Sequence, residues 1–229
     1  MKIAGLQKVT LLDYPDKVAC IIFTQGCPFA CEYCHNAEII DLDTPGTVSE
    51  EELFAYLDLR AKILDGIVIS GGEPLSQKDL KEFIQSIKKK YPNLLVKLDT
   101  TGLNSKLLQE LIDLRLIDYV AMDLKNSLTK YELTLRHGVK LEEIKKSIEI
   151  LLAAPIEVEF RTTIVKGLHN EEDLRSILEL VGTKRPYYLQ NFKDSESVPN
   201  HKLQSFTNVE LQTFMNKYSK QYPNLKIRA

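Results

Sequence analysis

The sequence has no apolar run approaching the roughly 20 residues that a membrane helix needs. Neither charge is in excess: 30 lysines and arginines face 32 aspartates and glutamates, a net charge of -2. The basic footprint of a nucleic-acid binder is therefore missing. The opening stretch MKIAGLQKVTLLDYPDK lacks a basic-then-apolar pattern, so no signal peptide is read there and a reducing, cytoplasmic location is expected. Internal repeats and low-complexity segments are absent. No G-K-[ST] follows a glycine-rich loop, which leaves a nucleotide P-loop unsupported. Cysteine is scarce, with four among 229 residues, yet three fall in one stretch, TQGCPFACEYCHN (24–36). In a reducing compartment such clustering points to metal binding or catalysis rather than to disulfides.

What is present is a strict alternation. VACIIFTQ (18–25), GIVIS (66–70), LLVKLD (94–99), DYVAMDL (118–124), IEVEFRTTIV (156–165) and YYLQN (187–191) read as strands. The apolar runs of VACIIFTQ and GIVIS are those of strands covered on both faces. Helices are predicted between them. Ser49 and Glu52 form a capping-box pattern before EEELFAYLDLRA. Ser76 is expected to cap the next helix, whose Leu80, Phe83, Ile84 and Ile87 share one face. The lysines at 88–90 complement its dipole. Residues 104–115 and 140–153 follow, then a helix capped by Asn170, and a last one carrying Leu211, Phe214, Met215 and Tyr218. LKIRA adds a short terminal strand. Six strand–helix units imply parallel pairing with right-handed crossovers. An open doubly wound sheet and a barrel both satisfy this pattern. Eight units close a barrel, so six leave it partial.

Polar or glycine-rich residues recur after each strand. They are the cysteine loop, SGGEP (70–74), DTTG (99–102), DLKN (123–126), KGLHN (166–170) and QNF (190–192). In parallel α/β folds the carboxyl ends of the strands are where sites are built. Cys27, Cys31 and Cys34, spaced C-x3-C-x2-C, are close enough to face one small volume. A structural zinc needs four ligands, usually in two separated pairs. Cys20 lies about five residues below the strand end, roughly 16 Å at ~3.3 Å per residue, and reads as a small core residue. His35 adjoins Cys34, which strains shared ligation of one zinc. Three soft thiolates suit an iron–sulfur cluster instead. A cubane cluster normally takes four cysteines, so three leave one iron with an open position.

With Tyr33 before the last cysteine, this motif resembles that of the radical S-adenosylmethionine (SAM) enzymes. TQGCPFACEYCHN, the lead-in GLQKVTLLDYPDKVA and YLQNF are most similar to the anaerobic ribonucleoside-triphosphate reductase activating proteins. The pyruvate formate-lyase activating enzymes are close relatives. The resemblance covers residues 4–192 and is strongest at the cysteine loop and SGGEP. The fold it implies is a partial (β/α)6 TIM-like barrel of parallel strands, with the site at their C-terminal ends. It forms one domain over 1–229, with a core at 18–192 and a C-terminal helix and tail at 193–229. The resemblance also implies a 4Fe–4S cluster on Cys27, Cys31 and Cys34, with SAM chelating the fourth iron. One electron cleaves SAM to methionine and a 5′-deoxyadenosyl radical, which takes a hydrogen from a backbone glycine of a partner enzyme. The implied partner is an anaerobic ribonucleotide reductase, and the implied electron donor a flavodoxin- or ferredoxin-type protein. Neither nucleic acid nor membrane is an expected partner.

The other loops acquire roles through the same resemblance. Gly71, Gly72 and Glu73 are expected at the methionyl end of SAM, with Glu73 accepting from its ammonium group. Lys125 is expected near the SAM carboxylate, and Asp99, Thr100 and Asp123 around a monovalent cation. Arg161 falls near the ribose, Gln190 and Phe192 near the adenine, and Tyr33 and His35 complete the cofactor-binding set. His137, His169 and His201 are not read as general bases. Ala30, Asp16 and Lys166 depart from residues usual in the relatives. No chemistry is read in 193–229, where KDSESVPNHKL looks like a surface loop. Three alternatives stay open. One is activation of another glycyl-radical enzyme such as pyruvate formate-lyase, one a radical SAM reaction on a small molecule, and one a non-enzymatic zinc or electron-transfer protein.

Overall fold

The computed structural model describes residues 1–135, 138 and 140–228; His137 lies outside the described residues. Eight strands form one sheet in sequential order: β1 (Ile3–Thr10), β2 (Ala19–Thr24), β3 (Gly66–Gly71), β4 (Leu95–Thr100), β5 (Tyr119–Asp123), β6 (Glu157–Ile164), β7 (Tyr187–Asn191) and β8 (Leu225–Arg228). β1 runs antiparallel to β2, and every later pair is parallel. The crossings are made by α1 (Glu50–Arg60), α2 (Leu80–Lys90), α3 (Ser105–Asp113), α4 (Tyr131–Leu135), α5 (Leu141–Ala153), α6 (Glu171–Val181) and α7 (Asn208–Tyr218). The six expected strand–helix units are thus β2 to β7 with their helices. One further strand lies on each side, and β1 and β8 are the edges of an open sheet.

Two local readings need correction. Residues 3–10, assigned no element from sequence, are β1; exposure along this edge strand hides the period-2 pattern. Ser76 does not cap α2. Pro74, with its fixed φ, starts a 3-10 turn directly after Glu73, and the Ser76 hydroxyl donates to the Glu73 carbonyl at 2.6 Å. Asn170 caps its helix as the sequence indicates, while of the capping box expected from Ser49 and Glu52 only the Ser49 bond is present. Ser49 accepts from the Glu52 N–H, and Asn170 and Asp173 make a reciprocal capping box.

Side-chain alternation divides the sheet into two faces. Cys20, Ile22, Ile67, Ile69, Val96, Leu98, Val120 and Met122 belong to the large core shared with Leu53 and Leu57 of α1 and Phe83 and Ile84 of α2. On the other face Tyr14, Ala19, Ile21 and Val68 close the end where the parallel strands begin. Tyr33, Val165, Phe192 and Val198 pack together near their carboxyl ends. Among the described residues no helix is long and apolar enough to cross a membrane.

Candidate active site

The cysteine loop leaves β2 at Thr24 and is pinned by backbone. Gly26 N–H donates to Ile39 O at 2.7 Å and Cys27 N–H to Ile40 O at 2.9 Å. Ala30 N–H reaches Leu135 O at 3.3 Å. Cys27, Cys31 and Cys34 are free thiols on the wall of one cavity of about 460 Å³. Cys20 is fully buried on the opposite face of β2, since Phe23, of the other parity, lines the cavity. It cannot serve as a fourth ligand. Among the described residues no three His, Cys, Asp or Glu side chains close on one point fit for a single ion. Three soft thiolates facing one cavity suit an iron–sulfur cluster. Burial, with Glu73 nearby, pushes the Cys27 thiol up to about 12, and burial raises Cys31 as well. Metal loading therefore displaces protons from these thiols.

The SGGEP loop lies directly on the cysteine loop. Gly72 N–H donates to Thr24 O and Glu73 N–H to Gly26 O, both at 2.9 Å. A Cβ on Gly72 would stand 2.1 Å from Gly26 O. Gly71 has φ +109°, and its Cβ would stand 2.2 Å from Thr24 N. These glycines are required by the chain itself, before any ligand is considered. Glu73 is fully buried, and its carboxylate is already engaged. It accepts from Leu75 N–H at 3.0 Å, Thr100 Oγ1 at 2.5 Å, Thr101 N–H at 2.7 Å and Thr101 Oγ1 at 2.6 Å. Burial lifts its pKa above the ordinary carboxylate value, and these four hydrogen bonds oppose the rise. The side chain thus ties the loop after β3 to the loop after β4. Glu73→Ala leaves several buried donors without an acceptor. It should lower stability by about 3 kcal/mol, read as a lower denaturant midpoint at unchanged slope.

A charged network lines the inner face below these loops. Arg161 Nε donates to Asp123 at 2.8 Å, and its Nη1 lies 3.4 Å from Asp99 and 3.9 Å from Glu159. Lys125 pairs with Asp123 at 3.2 Å, and the buried Lys97 with Asp99. Arg228 grips Glu159 with two bonds of 2.8 Å, and Tyr119 OH donates to the same carboxylate at 2.8 Å. Burial would raise the Asp123 pKa, but Arg161 and Lys125 hold it well below the usual carboxylate range. Burial likewise opposes the Lys125 charge, yet Asp123 holds its pKa well above the ordinary value. Three carboxylates therefore meet four cations, leaving one positive charge in excess.

Tyr33, His35, Gly71, Gly72, Glu73, Asp99, Thr100, Asp123, Lys125, Arg161 and Gln190 line the same cavity as the three cysteines. Phe192 does not. It is buried against Tyr33, Val165 and Val198 and meets the His35 ring edge-on at 5.9 Å, so it backs a wall residue. His169 is buried as well; Val165 N–H donates to its Nδ1 at 3.0 Å, and its Nε2 lies 2.9 Å from Lys125 O. The segment after β7 is more than a surface loop. Ser197 Oγ donates to His35 O at 2.7 Å and Asn200 N–H to Glu32 O at 3.2 Å, so it straps the cysteine loop. Lys193 and Arg228, from the stretch where no chemistry was read, line the cavity, as do Asp13, Asn36, Thr163 and Asn191.

A family model described as the Radical SAM superfamily matches residues 21–181, which hold the three cysteines, SGGEP, Lys125 and Arg161. The chain belongs to the radical SAM superfamily. The family uses a 4Fe–4S cluster and SAM, and the three-thiol wall fits that pair. This radical SAM protein is 36% identical over 201 residues to the Methanocaldococcus jannaschii protein named "Putative glycyl-radical enzyme activating enzyme", covering 85% of this chain and 81% of that one. It is 29% identical over 202 residues to the pyruvate formate-lyase-activating enzyme of Staphylococcus epidermidis, covering 80% and 74%. Among solved structures, Streptococcus suis SuiB bound to precursor peptide SuiA superposes with a TM-score of 0.70 at 15% identity. That likeness is one of fold; it covers 91% of this chain and 48% of SuiB, so this chain spans about half of SuiB's length.

Proposed function

We propose that this radical SAM protein activates a glycyl-radical enzyme, and that the enzyme is an anaerobic ribonucleoside-triphosphate reductase. The observation that carries the reading is the similarity to the M. jannaschii protein, which extends over 85% of the chain. The resemblance of the lead-in and of YLQNF favours the reductase as partner. Cys27, Cys31 and Cys34 would hold the 4Fe–4S cluster, and SAM would take the open iron. Bound together, the two supply one-electron cleavage of SAM and, through it, abstraction of a hydrogen atom from glycine. The backbone of Gly71 to Glu73 would border the methionyl end, with Glu73 as its buried brace. Lys125, in a network with one positive charge in excess, would answer the SAM carboxylate. Arg161 would border the ribose, and Gln190, with Tyr33 and His35, the remainder of SAM. Asp99 and Asp123 are already paired with Lys97, Lys125 and Arg161, so a monovalent cation beside Thr100 has no unmatched charge to answer. The reading places the protein in the cytoplasm with a flavodoxin- or ferredoxin-type electron donor.

The test is electron paramagnetic resonance on the reconstituted protein mixed anaerobically with SAM, dithionite and the reductase from the same genome. An organic-radical signal on the reductase is expected. A cluster that cleaves SAM but marks only a different glycyl-radical enzyme would reassign the partner. Cleavage with no polypeptide radical would favour a small-molecule substrate. A colourless protein that binds zinc and no SAM would overturn the reading.

A further inference from the structure

We propose that Arg228 binds the polypeptide segment that carries the target glycine, its guanidinium donating to main-chain carbonyl oxygens. This inference rests on the glycyl-radical reading above and names a contact for its substrate. A glycine offers no side chain, so recognition beside it falls to main-chain groups. The cavity has donors suited to that task beyond the loops assigned to SAM. Arg228 sits on the edge strand β8, in register with Gln190 of β7, which is in turn in register with Thr163 of β6. All three line the cavity. The Arg228 side chain is 32% exposed, while the Glu159 carboxylate that grips it is 1% exposed. Its guanidinium also lies 4.0 Å over the Tyr188 ring. The group is thus held in one plane from below and behind.

Charge selects the acceptor. Glu159 already neutralises Arg228, so the group has little preference for an anion over a neutral dipole. A guanidinium carries five N–H donors, and Glu159 uses two. The remainder fit a planar amide oxygen. Asp13, in the turn after the other edge strand β1, lines the same cavity; its carboxylate accepts from the Thr10 hydroxyl and keeps acceptor capacity for an amide N–H. A lysine at 228 would keep the charge but lose the fork.

The test uses the reconstituted full-length protein with the glycyl-radical enzyme that it activates. Arg228→Lys and Arg228→Met should raise KM for that enzyme about tenfold or more, the size of a lost charge-assisted hydrogen bond. Glu159→Gln should raise it in the same direction, because it frees the guanidinium to turn. Iron content and SAM affinity should stay within about twofold in Arg228→Lys, which keeps a cation beside Glu159. An unchanged KM in Arg228→Lys and Arg228→Met overturns the proposal while leaving the parent reading intact. So does a loss of SAM affinity in step with KM, which would put Arg228 at the cofactor. A parent protein that cleaves SAM but marks no polypeptide overturns both.

Discussion

Cys27→Ala, Cys31→Ala and Cys34→Ala will each leave the anaerobically reconstituted protein without a dithionite-bleachable visible band and without SAM cleavage above background, while Cys20→Ala will keep both. The three thiols share one cavity wall and have no substitute. His35 lines that wall, but it directly follows Cys34 in the chain, which strains ligation by both side chains together. Cys20 belongs to the core between β2 and α1, behind the strand. Burial pushes its thiol up to about 12, so it stays neutral and unreactive at physiological pH. Cys20→Ala should cost only about 1 kcal/mol, since a small buried group is exchanged for a slightly smaller one. A visible spectrum and a 5′-deoxyadenosine assay decide the matter. Loss of the cluster in Cys20→Ala would show that β2 is not oriented as described.

Gly72→Ala will be among the most damaging single substitutions in the chain, although it adds one methyl group. That carbon would lie 2.1 Å from the Gly26 carbonyl oxygen and 2.6 Å from its carbon. Both are backbone atoms, so no side chain can swing aside. Relief requires moving SGGEP away from the cysteine loop, breaking the 2.9 Å bonds from Gly72 to Thr24 and from Glu73 to Gly26. The expected loss is about 4 kcal/mol or more, with failure to load iron. Gly182→Ala is the control. Unlike Gly72 it has positive φ, but nothing lies within 4 Å of its Cβ, so only backbone strain of about 1–3 kcal/mol is expected. Denaturant midpoints and iron content of the two variants check this. A Gly72→Ala protein that loads iron normally would show that the two loops do not depend on their contact.

The sequence made the strand–helix alternation, the three ligands and most of the cavity wall legible. Apolar runs such as GIVIS and the glycine pair after it are strong local signals. The edge strand β1 was hidden because IAGLQKVT is half exposed and carries a glycine and two polar residues in its middle. The ionic floor was hidden for another reason. In LVKLDT, EVEFRTTI and LKIR one face is apolar and the other charged, which reads as a sheet with one wet side. Curvature turns that side inward, so Lys97 and Glu159 are buried, at 1% and 0% exposure. Period-2 patterning distinguishes two faces, not which of them meets solvent. Glu73 illustrates the same limit. Its position in the motif was readable, but three of its four hydrogen bonds depend on how the next loop folds back.

The strap across the cysteine loop sets an order of events during synthesis. Ser197 reaches His35 across 162 residues of chain. The ligand loop therefore leaves the ribosome long before the segment that fastens it. Until then the three thiols belong to an incomplete half-sheet and are exposed to the surrounding thiol and metal pools. Iron delivery has to wait for the last strands or act on a chain whose ligand loop is still unfastened. Truncation between the ligand loop and residue 197 would keep the three cysteines and remove the segment that straps their loop.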